Sequence, residues 1–286
     1  MSRCIRLREH APRKNTTIKP DPSYLNTCDN TILSQDYIIR TDINGFIIGS
    51  LDDEEANRPI IYLGDSVVEN MFVDEDERAT VCISRYLRDA GHSVPVRNAG
   101  VTGATTLDLY QLLVAKCLPL RPRGIILTSG MMDIVRMSSG KSFWEGLIEP
   151  ADALDCPNIL GEAESYDGLN ATRNSILQLF HSTCTQFNIP FLLTTWGFTP
   201  RMRTCAGVKT LGSDYCDWLG RALQINDATR HIAEQNGIYF VDLAEQMQDK
   251  DIFYYDGLHP NGRGCKKIGD LIGPELSKIL DSKLWF

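Results

Sequence analysis

No stretch of this 286-residue chain approaches the roughly 20 consecutive apolar residues that a bilayer-spanning helix needs. The first residues, Met1-Ser2-Arg3-Cys4-Ile5-Arg6, lack the apolar segment of a secretory leader. There is no C-x-x-C pair, no His/Cys spacing of a metal site and no glycine-rich phosphate loop, so neither a metal nor another cofactor is expected. Clustered basic residues are missing as well. The net charge is −8, from 29 Lys and Arg against 37 Asp and Glu, which argues against nucleic acid or an anionic membrane surface as a partner. The one basic-leaning stretch, residues 3–19, also carries Glu9, Pro12 and Thr16-Thr17, and reads as a solvated tail. Repeats and low-complexity tracts are absent. The nine cysteines are an odd and scattered set. Cys82, Cys117, Cys184 and Cys265 fall in helix-like stretches, where free cysteine acts as a small apolar residue. Cys205 and Cys216 flank a polar loop that would let them pair, but free thiols in a reducing cytoplasm are the simpler expectation.

What remains is the composition of an ordinary globular domain, 43% hydrophobic and 23% charged, in a chain long enough for one sizeable core. Asn44-Gly45 predicts a hairpin between 37–41 and 46–48, followed by an acidic linker over 52–59. From residue 60 the pattern alternates. Apolar runs predict strands over 60–63, 94–98, 124–129, 190–195 and 238–241, and amphipathic stretches predict helices over 75–89, 105–118, 169–187, 214–236 and 261–280. Continuous apolar strands separated by helices imply a parallel sheet covered on both faces. Two long loop-like stretches, 136–166 and 197–213, emerge at the carboxyl edge, where such sheets bind their ligands. Residues 1–58 are thus expected to form a tail with a hairpin and linker, and residues 59–286 the main domain.

Four motifs sit just past predicted strand ends. They are Gly64-Asp65-Ser66-Val67, Asn98-Ala99-Gly100-Val101-Thr102-Gly103, Gly130-Met131-Met132-Asp133 and Asp256-Gly257-Leu258-His259-Pro260. A serine needs a base to lose its proton, and the base needs a carboxylate to hold its tautomer and stabilise its charged form. Ser66, His259 and Asp256 supply these three groups. In isolation Ser66 would read as a helix cap. The other histidines, His10, His92, His181 and His231, have no carboxylate at matching spacing and are expected on surfaces or helices. Asp133 is a candidate cap for the segment after it, and Met131 and Met132 are candidates for core filling. Among the tryptophans only Trp196, at the carboxyl end of a strand, is placed to touch a substrate; packing is the expectation for Trp144, Trp218 and Trp285. The acidic runs 52–55 and 74–77 suggest solvated loops or a helix N-terminus.

In order and spacing the four motifs resemble the blocks of the SGNH (GDSL-type) hydrolases, over about residues 60–280. The resemblance implies a three-layer α/β/α flavodoxin-like sandwich with a mainly parallel five-stranded sheet. It also implies an esterase with Ser66 as nucleophile, His259 as general base and Asp256 as its orienting carboxylate. The Ser66 and Gly100 backbone N–H groups would be the oxyanion donors, with Asp65 bracing the loop. One departure stands out. The third block of the family reads Gly-x-Asn-Asp, with the Asn side chain as a further oxyanion donor, and here Met132 stands at that position. A thioether cannot donate, and losing one such donor costs about 2.7–4 kcal/mol of transition-state stabilisation. Two backbone donors sufficing for an activated ester, or a stand-in such as Thr102, Thr105 or Ser129, are the favoured explanations. A pocket serving acyl transfer or binding is the third. The substrate implied by the family is a small-molecule ester, for instance an O-acetyl group on a sugar or a natural-product intermediate. An acyltransferase using the same three residues, or a non-catalytic binding protein, are the alternatives, and nothing in the sequence sets an oligomeric state.

Overall fold

The computed structural model describes residues 7–50, 52, 53, 55, 57–138, 166–199 and 215–282. The N-terminal part forms β1 (Asn15–Ile18), α1 (Pro22–Leu25) and β2 (Tyr37–Arg40). The remainder runs β3 (Ile60–Gly64), α2 (Ser66–Glu69), α3 (Ala79–Asp89), β4 (Val96–Gly100), α4 (Thr106–Leu112), β5 (Gly124–Thr128), α5 (Met131–Ser138), α6 (Tyr166–Gln186), β6 (Phe191–Thr194), α7 (Tyr215–Asn236), β7 (Tyr239–Val241), α8 (Leu243–Met247) and α9 (Gly262–Asp281). Strands β3 to β7 make one all-parallel sheet in the order β4-β3-β5-β6-β7.

Side chains alternate across this sheet, so each apolar strand feeds two cores. Ile60, Tyr62, Ile126 and Leu192 face α3 and α9, where Ile83, Leu87, Ile272 and Leu276 meet them. Ile61, Leu63, Ile125, Leu127 and Leu193 face the opposite layer, packed on Leu109, Leu112, Leu177 and Phe180 of α4 and α6. The result is the three-layer α/β/α sandwich. Close packing of α9 on α3 depends on Gly269 and Gly273, because a Cβ there would lie 2.7 Å from Cys82 Cβ and 2.5 Å from the Tyr86 ring. Local signals set the helix starts: Thr105 and Asp108 form a capping box on α4, and Asn261 caps α9 by accepting from the Gly264 N–H at 3.0 Å. No described helix is long and apolar enough to cross a membrane.

The N-terminal segment departs from the sequence expectation. Only a single antiparallel bridge, Thr41 to Ile47, closes the turn at Asn44-Gly45, and β2 takes its ladder from β1 instead. Residues 7–19 are not a solvated tail: they contain β1 and contact the main domain. A two-stranded sheet is marginal by itself, so the docking must come from elsewhere. Ile47 exchanges backbone hydrogen bonds with Asn98 at the sheet edge, at 2.8 and 3.2 Å. Ile32 and Phe46 join the two cores of the main domain, and arginines add directional contacts. Arg97, fully buried on β4, lies 3.2 Å from Asp42 and 3.5 Å from Asp52 and donates to the Asp53 carbonyl. Arg78 donates to the Ile38 carbonyl at 2.7 Å and to the Asn70 carbonyl at 3.3 Å. Arg40 holds Glu75 through both carboxylate oxygens at 2.9 Å. Glu75 and Asp76, which accepts from the Ser50 N–H at 2.8 Å, are thus committed to the N-terminal segment. The helix expected over 75–89 accordingly starts only at Ala79.

The short helices α2, α5 and α8 were not anticipated, because four to eight residues are too few to show a helical period. Most of the two stretches expected as long loops, 136–166 and 197–213, lies outside the described residues, as do Trp144, Cys205 and Trp285.

Candidate active site

Two glycines place the serine. Gly64 and Gly100 are register partners at the carboxyl ends of β3 and β4. A Cβ on Gly64 would sit 2.2 Å from a Val68 methyl, and one on Gly100 would sit 2.2 Å from the Glu69 backbone nitrogen. Their bare backbones let α2 lie directly on the strand ends. Asp65 caps this helix, accepting from the Val67 N–H at 3.0 Å and also from the Met132 N–H, so the bracing expected of it is observed. Burial pushes its carboxyl up to about 6. Asn98 holds the same helix from below, with Nδ2 donating to the Val68 carbonyl at 2.8 Å.

Ser66 opens α2 and is half-buried. The structure brings His259 and Asp256 to it across nearly two hundred residues. Ser66 Oγ lies 2.9 Å from His259 Nε2, and His259 Nδ1 lies 2.7 Å from Asp256 Oδ2. The other carboxylate oxygen of Asp256 accepts from the Leu258 and His259 backbone N–H groups at 3.0 and 2.8 Å, which fixes the plane of the carboxylate. Burial would raise the Asp256 pKa, but His259 and these donors hold it well below the usual carboxylate range. Burial would likewise lower His259, yet the Asp256, Asp65 and Glu69 carboxylates raise it above the ordinary histidine value. The Tyr255 ring stacks on the imidazole, with centroids 5.5 Å apart and planes at 11°.

The remaining expected residues fare differently. The Gly100 N–H is already donated to Asn98 Oδ1 at 2.8 Å, so it is not an open donor; Gly100 serves the close packing of α2 instead. Three residues on, Gly103 has φ +79°, a conformation that favours glycine, and among the described residues its N–H and that of Ser66 make no hydrogen bond. Both glycines stand in the same Asn-x-Gly-x-x-Gly motif, and spacing alone does not say which one turns its amide outward. Trp196 is buried among the described residues. It is 3% exposed and packed against Phe198 and Trp218, with its backbone bonded to Asn226, because the end of β6 turns inward to the core shared with α7. Met132 is half-buried on the first turn of α5. Of its possible stand-ins, Thr102 donates its hydroxyl to Glu69 and Thr105 donates its own to Asp108; the buried Ser129 hydroxyl has no hydrogen-bond partner among the described residues. Asp133 does not cap a loose segment. It is fully buried, 3.1 Å from Arg173 of α6, and accepts from the Thr106 N–H at 2.9 Å.

Glu69 was not anticipated. One turn after Ser66, it is buried, accepts from the Thr102 N–H at 2.7 Å and lies 2.9 Å from His10 Nε2. Burial alone would raise its pKa, but His10 and Thr102 outweigh that and lower it. Its place one helical turn beyond the serine was the available signal. Among the described residues no group of His, Cys, Asp and Glu is arranged to hold a metal ion.

The model of the GDSL-like lipase/acylhydrolase family matches residues 62–267 of the chain. The chain belongs to that family. It is accordingly a carboxylic ester hydrolase by class. No curated protein matches it in sequence. Solved structures share its fold: the acetyl xylan esterase AlAXEase (17% identity, TM-score 0.53, covering 78% of this chain and 99% of that one) and the lipase/acylhydrolase from Enterococcus faecalis (18%, 0.52, 77% and 96%). LAE5, an alpha/beta hydrolase enzyme from the metagenome of Lake Arreo in Spain, is similar to the same degree (17%, 0.52, 77% and 94%). The GDSL match starts after β1 and β2, so the N-terminal segment lies outside it.

Proposed function

We propose that this GDSL family member cleaves a small acyl ester through an acyl-enzyme on Ser66. The observation that carries this reading is the continuous contact from Ser66 Oγ through His259 to Asp256, at 2.9 and 2.7 Å. In this scheme His259 Nε2 takes the Ser66 proton as Oγ attacks the ester carbonyl, and Asp256 stabilises the imidazolium that forms. His259 then gives the proton to the departing alcohol. It next takes one from water, the hydroxide attacks the acyl carbonyl, and the proton returns to Ser66 as the acid leaves. The Ser66 and Gly103 N–H groups, unpaired among the described residues, are the donors we assign to the oxyanion. An O-acetyl group on a sugar or a natural-product intermediate is the substrate class we would test first, and the acetyl xylan esterase of like fold supports including acetylated sugars. Cys28, Cys82, Cys184 and Cys265, which form no disulfide among the described residues, support a reducing compartment such as the cytoplasm.

One observation favours a second reading. With Met132 where the family places an Asn donor, the oxyanion is less stabilised whichever nucleophile attacks, so hydrolysis would be slow, and an acceptor alcohol bound in place of water would make the protein an acyltransferase. Product analysis with and without acceptor alcohols separates the two. The primary test is intact-mass analysis after exposure to a small fluorophosphonate. One adduct on the wild type, absent from Ser66→Ala and His259→Ala, is the expected result. Labelling at another serine, or none on the folded wild type, would overturn the assignment.

A further inference from the structure

The carboxylate at the far end of the Ser66–His259–Asp256 chain receives one donor from outside the family-matched region. Tyr24, on α1, directs its hydroxyl to Asp256 Oδ2 at 2.7 Å. This is the same oxygen that faces His259 Nδ1, also at 2.7 Å. The two residues are 232 positions apart in sequence. The contact is held in place from several sides. Asp21 caps α1 by accepting from the Ser23 N–H at 2.8 Å. The Tyr24 ring packs on Phe72, with centroids 5.5 Å apart, and edge-on to Tyr255 at 6.5 Å. Tyr255 in turn stacks on the His259 ring. An aromatic bracket thus runs from the N-terminal segment to the imidazole, and the Tyr24 hydroxyl at its N-terminal end meets the carboxylate.

We propose that Tyr24 is a positioning residue for the Asp256–His259 pair: its hydroxyl holds the carboxylate in line with Nδ1 and shares its charge, setting how strongly His259 holds a proton. The inference rests on the reading of His259 as the general base. Its chemistry is simple. A carboxylate oxygen accepting two short hydrogen bonds divides its charge between them, so less is available to stabilise an imidazolium. Without the Tyr24 hydroxyl the full charge of Oδ2 faces His259, and the imidazolium is held more tightly. A tyrosine this close to an ionised carboxylate stays protonated, since burial and the neighbouring Tyr255 and Asp256 all push its pKa up, so it remains a donor throughout the working pH range. The groups facing the pair are Tyr24, Tyr255 and Cys28 on the Asp256 side, and Asp65 and Glu69 on the His259 side.

The test is to follow the His259 imidazole by NMR across pH, with His259→Ala used to assign its signal, in wild type, Tyr24→Phe and Phe72→Leu. Tyr24→Phe keeps the ring and removes only the hydroxyl. The expected result is a rise of about half to one pKa unit in Tyr24→Phe, which is a three- to tenfold loss of neutral base on the acid limb. Phe72→Leu loosens the ring packing but leaves the hydroxyl; it should lower the melting temperature while leaving the His259 titration in place. An unchanged His259 titration in Tyr24→Phe would overturn the proposal, and so would an equal shift in Phe72→Leu, which would assign the effect to packing. The imidazole titrates whether or not Ser66 is reactive. Failure of the esterase reading would therefore show in the fluorophosphonate experiment, and failure of this inference in the titration.

Discussion

The strand-and-helix domain of residues 60–282 and the segment of residues 7–50 converge on one site, but each is held by different physics. The domain is organised by apolar alternation: its strands are buried on both faces, and its helices start at caps and are stopped by turns. The N-terminal segment has little core of its own. Besides a few apolar residues such as Ile32 and Phe46 that enter the domain's cores, it is fastened by directional contacts, with Arg78, Arg97 and Arg40 as cationic anchors and Tyr24 as an aromatic one. Apolar packing is tolerant of which residue supplies the area, whereas a buried guanidinium or a tyrosine hydroxyl needs one partner in one place. The domain therefore supplies the proposed reacting groups, and the segment reaches the site through Tyr24 on Asp256, His10 on Glu69 and Arg8 on the Thr102 carbonyl beside Gly103.

The largest effect should come from the domain's own reacting groups. Ser66→Ala or His259→Ala is expected to lower kcat/KM for a small acetyl ester by about 10⁴-fold or more, with the double variant scarcely worse than either single one. Additive losses would mean that the two side chains do not act as a unit.

Next comes the departure within the third motif. Met132→Asn restores the side-chain donor of the family pattern, and a gain in kcat of up to about 10²-fold is expected if the new amide reaches the oxyanion. Unchanged kcat in a folded variant would place position 132 away from the reacting carbonyl and leave the two backbone donors as the oxyanion site.

The third tests stability where the domain does rely on a buried charge. Arg173 and Asp133 are both fully buried, and Arg173 also donates to Thr229 Oγ1 at 3.0 Å, tying α5, α6 and α7 together. Arg173→Met leaves a buried carboxylate without its cation and should cost about 3–5 kcal/mol in urea unfolding. Burial raises the Asp133 pKa, and without Arg173 to oppose this the carboxyl takes up a proton more readily, so the loss should shrink as the pH is lowered. A pH-independent loss would show that the carboxyl stays charged without Arg173.

The contrast between the two regions explains what could be read from sequence. The five strands, the long helices and the grouping of Ser66, Asp256 and His259 were legible because apolar period and motif spacing are local properties that the fold preserves. The choice between Gly100 and Gly103 was not, since it depends on which amide Asn98 consumes. The burial of Trp196 was not legible either, because a strand-end position does not reveal which way the chain turns after it. Nothing near Tyr24 or His10 signals a partner more than two hundred, or nearly sixty, positions away. The structure's element order supplies those partners only after the sheet has formed.

Glu69 lies where the two regions meet, and its substitution gives the smallest expected effect and the sharpest sign. It raises His259 from the α2 side, whereas the Tyr24 hydroxyl is inferred to restrain His259 from the Asp256 side. Glu69→Gln keeps an oxygen for the Thr102 N–H but removes the charge, so the acid limb of kcat/KM should move down by a few tenths of a pH unit. That is opposite in direction to Tyr24→Phe. A second readout follows from its own titration. The Glu69 pKa is lowered in the folded protein, so its contribution to stability is present above the ordinary glutamate value and is lost as pH falls through the lowered one. Wild type should therefore lose stability on acidification over that window more steeply than Glu69→Gln. Parallel acid unfolding curves would mean that His10 and Thr102 do not favour the charged form, and the contact between the segment and the serine helix would then be one of shape alone.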